Sequence, residues 1–384
     1  MMSTALISGA GIAGPTLAYW LARHGFRVTV VERGGKPRSS GNPVDVRGPA
    51  VTVAERMGVM PRLRRAATGT TGVSFVDAAG RRVGRMDMRA VQRPGEVEVP
   101  RGDLASILYG ASRDHAEFLF DDSITALGQD EHGVDVAFEH AAPRRFDLVI
   151  GADGLHSVTR RLTFAEETGA PQGGPVRHMG LYVATTPLPE GAAGAGRDIL
   201  LHNTPGKAIA VNPRPAGAFF LYRSPAAPGF DHRDTEQHKR MLIDAFADVS
   251  WRAPELLEHV RTAGDLYFDS VSQVRLPRWW KGRVALLGDA ASCVSLFGDG
   301  STLAMAGAFT LAEALAAHSG DPAAAFLRYE AVHRRLVEPK QRNVAQASAL
   351  LAPATRGGIL ARNLATRLWP AVAAATRLKH ALAW

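Results

Sequence analysis

At 384 residues, 46% hydrophobic, with a mean hydropathy of −0.06, the chain can bury a large core and is expected to form two domains. A net charge of +8 and a pI near 10.0 first suggest nucleic acid, but the arginines are dispersed and no basic block alternates with aromatics, which excludes that class. The single cysteine, Cys293, excludes an intramolecular disulfide framework; with a core entered by Leu6, no leader is expected, a reducing cytoplasmic location is, and the apolar stretches are too interrupted for a membrane span.

The first element is a βαβ unit. Leu6 and Ile7 begin a buried strand, and Gly9, Gly11 and Gly14 follow in G-x-G-x-x-G spacing. A helix is expected over Ile12–His24, with Pro15 in its first turn and Gly25 as its stop, then a strand over Phe26–Val31 ending at Glu32. The first glycine permits the turn, the second lets backbone approach a pyrophosphate, and the third lets helix pack on strand. Glu32 lies 32 − 14 = 18 residues past the last glycine, near the spacing of a ribose-binding acid. The unit reads as a dinucleotide site for FAD or NAD, although Arg33 leaves room for a 2′-phosphate.

Gly34–Ser40 is a polar loop, and Val44–Arg47 is a short strand before a helix over Pro49–Met57. Val73–Asp77 and Glu96–Val99 read as strands about a turn at Ala78–Gly80. Arg101 opens a helix carrying Leu104, Ile107 and Leu108, and Val134, Val136 and Phe138 alternate as a strand before a turn at Pro143. Phe146–Arg161 holds a buried strand, then Asp153–Gly154, then a short helix. From Phe164 to Pro277 proline and glycine become frequent, with strands at Leu181–Thr185, Lys207–Asn212 and Ala218–Arg223. A strand, glycine-bearing loop and alanine-rich helix return at Arg283, followed by helices over Ala323–Leu351 and Ile359–Trp384; no internal repeat is found. The fold class is therefore α/β. The expected organisation is a Rossmann-like domain from 1–72, 100–163 and 276–355, an antiparallel substrate domain from 73–99 and 164–275, and a docking helix over 356–384.

Three blocks now stand in order: G-x-G-x-x-G with Glu32, Asp153–Gly154, and Gly288–Asp289. Together they resemble the flavin-dependent aromatic hydroxylases, the single-component group A flavoprotein monooxygenases typified by para-hydroxybenzoate hydroxylase, with a glutathione-reductase-type FAD domain. The Asp45/Arg47 segment and the Arg101 helix resemble most the tetracycline-modifying and polyketide-tailoring branch of secondary metabolism. The resemblance implies that Gly9, Gly11, Ala13 and Gly14 hold the FAD pyrophosphate, with Glu32 and Arg33 at the adenosine ribose. It implies that Arg101 reaches FAD from the other side, that Asp289 bonds the ribityl hydroxyls, and that Asp153 supports the pyrophosphate side and the nicotinamide encounter. Asp153 also reads as a plain helix cap. Gly298, Gly300, Ser301 and Thr302 would open a helix whose N–H groups face the flavin, where a helix N-terminus favours negative charge.

The implied activity is a monooxygenase using NAD(P)H and O2. It would hydroxylate a small aromatic or polyketide-like molecule through a C4a-hydroperoxyflavin, as a monomer or weak homo-oligomer. No catalytic base stands out and no metal site is expected; His202, Phe220, Tyr222 and Arg223 are the candidate substrate contacts, with only one of Phe219 and Phe220 able to face a pocket. The chain departs from the family at Ser292, usually histidine, at Ser295–Leu296, usually proline-bearing, and at Gly298–Asp299–Gly300–Ser301–Thr302, usually Gly-Gln-Gly-x-Asn. Asp299 would oppose an anionic reduced flavin unless it points to solvent. That departure keeps a flavin oxidase or dehydrogenase open, and a non-catalytic carrier of an apolar ligand is the reading from another class. Cys293 fits a small buried residue better than a covalent flavin link.

Overall fold

A computed structural model describes residues 2–35, 43–90, 92–164, 175–194, 196–294 and 299–366. In chain order, β1 (Thr4–Ser8), α1 (Ala13–Arg23) and β2 (Arg27–Glu32) form the opening unit. Next come β3 (Val44–Val46), α2 (Pro49–Arg56), α3 (Met60–Arg65), β4 (Gly72–Val76), β5 (Arg82–Asp87), β6 (Val97–Val99) and α4 (Arg101–Ser112). Then follow β7 (Glu117–Phe120), β8 (Ile124–Gln129), β9 (Val134–Phe138), β10 (Arg144–Phe146), β11 (Leu148–Gly151) and α5 (Val158–Phe164). The middle of the chain gives β12 (Val176–Pro187), β13 (Asp198–Thr204), β14 (Lys207–Pro213), β15 (Ala216–Arg223), α6 (Thr235–Phe246), α7 (Ala253–Thr262) and β16 (Tyr267–Val274). Last are β17 (Trp280–Lys281), β18 (Val284–Leu286), α8 (Asp289–Ser292), α9 (Asp299–Ala317), α10 (Pro322–Arg342), α11 (Val344–Leu351) and α12 (Arg356–Ala365).

Two large sheets organise these elements. The first runs β17-β18-β11-β1-β2-β7 and is parallel except at the β17 edge. Its strands are apolar on both faces because both are covered. Ala5, Ile7, Val30 and Ile150 pack among the α1 and α9 side chains, while Leu6, Val31 and Val149 pack on the three-stranded sheet β10-β9-β8. The second sheet runs β16-β12-β15-β14-β13-β4-β5 and is antiparallel apart from the β13–β4 pair. One face of it is covered by α6 and α7 through Leu242, Phe246, Leu256 and Val260.

The structure differs from the sequence expectation at several elements. β6 pairs with β3, so Val97–Val99 is not part of the seven-stranded sheet. The helices expected through Ala323–Leu351 are α10 and α11, which meet at Asn343. Helices α6 and α7 were not foreseen, although Asp234 caps α6 by accepting from the Gln237 N–H at 2.9 Å. α9 is, among the described residues, the one helix long and apolar enough to cross a bilayer; it is instead a core helix, 67% buried against α1, α2 and α10. The terminal helix is described only as far as Thr366, and α12 packs on β5 and β13. Arg362 docks it, donating to Asn203 Oδ1 at 2.7 Å and to the Leu350 carbonyl at 3.0 Å, with its guanidinium 3.9 Å from the Phe75 ring. On the described part of this helix, Leu360 and Leu364 are exposed.

Candidate active site

The glycine loop is shaped by close contact at two of its three positions. Gly9 has φ +107°, and a Cβ there would lie 2.6 Å from the Ala152 carbonyl oxygen; a Cβ on Gly14 would lie 1.9 Å from the Gly9 carbonyl oxygen. Gly11 is different, since a Cβ there would meet nothing within 4 Å, so the loop is open where a ligand would lie. Ala13 and Gly14 start α1, which has neither a side-chain cap nor an acid in its first turn. Its N-terminal N–H groups are left for an anion. Glu32 spans this loop: Oε2 accepts from the Ala10 N–H at 2.8 Å and Oε1 from the Gly34 N–H at 2.9 Å. Arg33 is exposed next to it.

Asp153 closes the next loop. It accepts from the Thr159 N–H and hydroxyl, each at 2.9 Å, and from the Ser157 hydroxyl, so it caps the start of α5. Arg160 is a positioning residue that sequence reasoning missed. It is buried, and it donates to the Ala290 carbonyl at 3.0 Å and the Leu155 carbonyl at 2.5 Å, tying the Asp153 loop to α8.

Asp289 begins α8. Burial pushes its carboxyl up from the ordinary carboxylate range, opposed by the Arg101 guanidinium and by a hydrogen bond from the Cys293 side chain. A Cβ on Gly300 would come 3.8 Å from Asp289 Oδ1, which sets the start of α9 beside it. The Ser301 and Thr302 hydroxyls are directed elsewhere: they donate to the Asp45 carbonyl at 2.6 and 3.1 Å, and Thr302 Oγ1 accepts from the Arg47 N–H at 3.1 Å. These hydroxyls stitch α9 to β3, leaving only backbone to face a flavin. Gly298 and Ser295–Leu296 lie outside the described residues. Asp299 is not turned to solvent; it pairs with Lys340 at 3.0 Å, which offsets its charge.

Beyond α9 lies a cavity of about 650 Å³. The seven-stranded sheet supplies an apolar wall of Val73, Ile199, Leu201, Ala210 and Phe219, into which Asn212 is set. The facing wall is charged, with Asp45, Arg47, Glu98, Asp299 and Lys340. Arg47 Nη2 lies 2.8 Å from Asp45 Oδ2. Burial nevertheless pushes the Asp45 carboxyl up to about 6, against Arg47 and helped by Glu98 and Asp299.

The four expected substrate contacts are not in this cavity. Phe220 and Tyr222 point to the helix-covered face, 5.3 and 5.8 Å from the Phe246 ring centroid. His202 lies on that side too; its Nδ1 is 3.1 Å from the Val76 carbonyl, and its ring is 5.7 Å from Trp251. Arg223 donates to the Ala352 carbonyl at 2.9 Å and holds the end of α11. Strand alternation puts Phe219, not Phe220, on the cavity face. Sequence reasoning also missed a contact between the two halves. His156 Nε2 lies 2.9 Å from Asp269 Oδ2 on β16, and the His232 ring stacks on it at 3.9 Å.

Comparison with known proteins agrees with this geometry. A family model described as an FAD binding domain matches residues 2–343. A flavin-dependent monooxygenase of Legionella longbeachae is 35% identical over 344 residues, covering 88% of this chain and 86% of that protein. The Mycobacterium tuberculosis protein Rv1260 is 40% identical over 359 residues, covering 88% and 92%. Among solved structures, the tetracycline destructase Tet(51) superposes with a TM-score of 0.83 at 32% identity, over 97% of this chain and 98% of that one. HpxO of Klebsiella pneumoniae, complexed with FAD and uric acid, shares the fold at a TM-score of 0.75 and 21% identity, over 97% and 96%. With a family match across most of its length and a loop, helix and acid arrangement suited to the cofactor, the chain belongs to the FAD binding domain family, the group A flavoprotein monooxygenases.

Proposed function

We propose that the chain uses NAD(P)H and O2 to hydroxylate a planar aromatic or polyketide-like molecule held in the 650 Å³ cavity. The observation that carries this reading is the cavity itself, with an apolar sheet wall on one side and the start of α9 and β3 on the other. Its size lies within the range of roughly 300–1,000 Å³ typical of small-molecule sites. Similarity to a tetracycline destructase makes tetracyclines the first polycyclic compounds to try.

The residues present fit FAD. Gly11 leaves open space at an uncapped helix start, and Asp289 places a carboxyl whose proton affinity is raised by burial next to the start of α9 at Gly300. Gly9, Gly11, Ala13 and Gly14 would hold the pyrophosphate, Glu32 and Arg33 the adenosine ribose, and Arg101 and Asp289 the ribityl chain. FAD, when bound, supplies the electron transfer and the oxygen activation. The chain's own part is to orient and to exclude water. Backbone N–H groups at the start of α9, near Gly300, would favour negative charge at the flavin. Lys340 offsets Asp299, which weakens the motive for an oxidase reading.

The FAD-loaded protein is expected to oxidise NAD(P)H slowly alone and faster when a fitting planar phenol or tetracycline is added. A panel of such compounds, followed by NAD(P)H absorbance, tests this. Rates that no compound raises would count against the reading.

A further inference from the structure

We propose that the Asn212 carboxamide recognises an oxygenated edge of the substrate, a planar ring bearing neighbouring hydroxyl or carbonyl oxygens. This rests on the reading of the 650 Å³ cavity as the substrate site. Along β14, Ala208, Ala210 and Asn212 face the cavity side, while Ile209 and Val211 pack under α6 and α7. Asn212 is 9% exposed and lines the cavity among Val73, Ile199, Leu201, Ala210 and Phe219. Its side chain has no hydrogen-bond partner among the described residues.

An aliphatic residue would continue this wall at no desolvation cost, whereas a buried amide lacking partners is destabilising. Its cross-strand neighbour is Gly217, which has no side chain to fill the space or to bond the amide. Two pairs of the charged groups opposite are engaged with one another, Arg47 with Asp45 and Lys340 with Asp299. The amide is thus a neutral polar group facing the cavity from an apolar wall. A carboxamide offers two N–H donors and one acceptor oxygen side by side. A catechol or hydroxy-ketone edge presents the complementary acceptor and donor at the same spacing. Neither a hydrocarbon ring nor an isolated charge does so. A site with an unpaired buried amide also discriminates strongly against analogues that cannot bond it.

Equilibrium titration of the FAD-loaded protein with 2,3-dihydroxynaphthalene and with 2,3-dimethylnaphthalene tests the assignment, since the two have the same shape and only the first can hydrogen-bond. The ratio of the two affinities, diol over hydrocarbon, is expected to fall about tenfold or more in Asn212→Leu. Asn212→Ala, which adds no bulk, is expected to lose the preference equally, and unchanged FAD content in both variants verifies that they fold. A ratio that both variants keep at the parent value overturns the assignment and leaves the substrate reading standing. A parent that binds neither compound overturns both.

Discussion

At the scale of single residues, Asp45 and His333 carry ionisations displaced by burial, in directions with measurable consequences. Asp45 holds its proton up to about 6, so the folded state binds more protons than the unfolded chain above the ordinary carboxylate value near 3.8. Its contribution to stability is therefore present at low pH and lost as pH rises through 6. Asp45→Asn is expected to raise stability at pH 7.5 by about 1–3 kcal/mol and to flatten the change in cavity ligand affinity between pH 5 and 7. Denaturant midpoints and ligand titrations across that range check both; an unchanged pH profile would show that Asp45 is not the titrating group. His333 behaves oppositely. It is wholly buried between Trp279, Tyr329 and Gly307, neither ring nitrogen has a hydrogen-bond partner among the described residues, and burial lowers it to about 4. The folded state resists protonation, so stability falls as pH drops from about 6.5 towards 4, by roughly 3 kcal/mol in all. His333→Phe should remove most of that acid-side loss, as thermal melts at pH 4.5 and 7 would reveal; equal losses in variant and parent would refute it.

The acids proposed to hold FAD belong to the same scale. Glu32 was legible from its spacing after the glycines, whereas Asp289 was legible only through the resemblance carried by the Gly288–Asp289 block. Arg160 was not, because its role depends on two carbonyls brought together only by the fold. Asp289→Ala is expected to weaken FAD binding about tenfold to a hundredfold, from the loss of charge-assisted hydrogen bonds of roughly 1.5–3 kcal/mol. Fluorescence titration with FAD reads this, and parent-like affinity would remove Asp289 from the site.

At the scale of elements, the glycine loop separates packing from binding. Gly14→Ala places a methyl group into the Gly9 carbonyl and should prevent α1 from seating on β1, with a loss of several kcal/mol. Gly11→Ala meets no neighbour and should fold like the parent, yet bind FAD more weakly. Paired melting and FAD titrations distinguish them; similar damage to folding in both would mean that the loop is shaped by packing alone. The glycine spacing made this unit readable from sequence. The face of the seven-stranded sheet was not, because one side is covered by α6 and α7 and the other forms the apolar wall of the cavity. Both sets of alternating residues are then apolar, and Phe219–Phe220 carries no signal of which is which. Asn212, the polar residue at the end of β14, was the usable marker. β6 was misplaced because a three-residue strand has too little pattern to choose its partner.

At the scale of the whole molecule, the order of the three motif blocks revealed a parallel sheet carrying the cofactor loops and a second sheet inserted between them. What joins the two was invisible in the sequence. His156 on the Asp153 loop meets Asp269 on β16, 113 residues away, and on the parallel-sheet side β3 is likewise stitched to α9 across 256 residues through Ser301 and Asp45. Such contacts follow from topology and leave no local periodicity. Together they set the cavity beside the start of α9. Turnover of an accelerating planar substrate under isotopically labelled dioxygen, with NAD(P)H as reductant, is the most direct measurement. The account predicts one labelled oxygen atom in the product for each NAD(P)H consumed, with the other atom released as water. An unlabelled, oxidised product accompanied by stoichiometric hydrogen peroxide would contradict it.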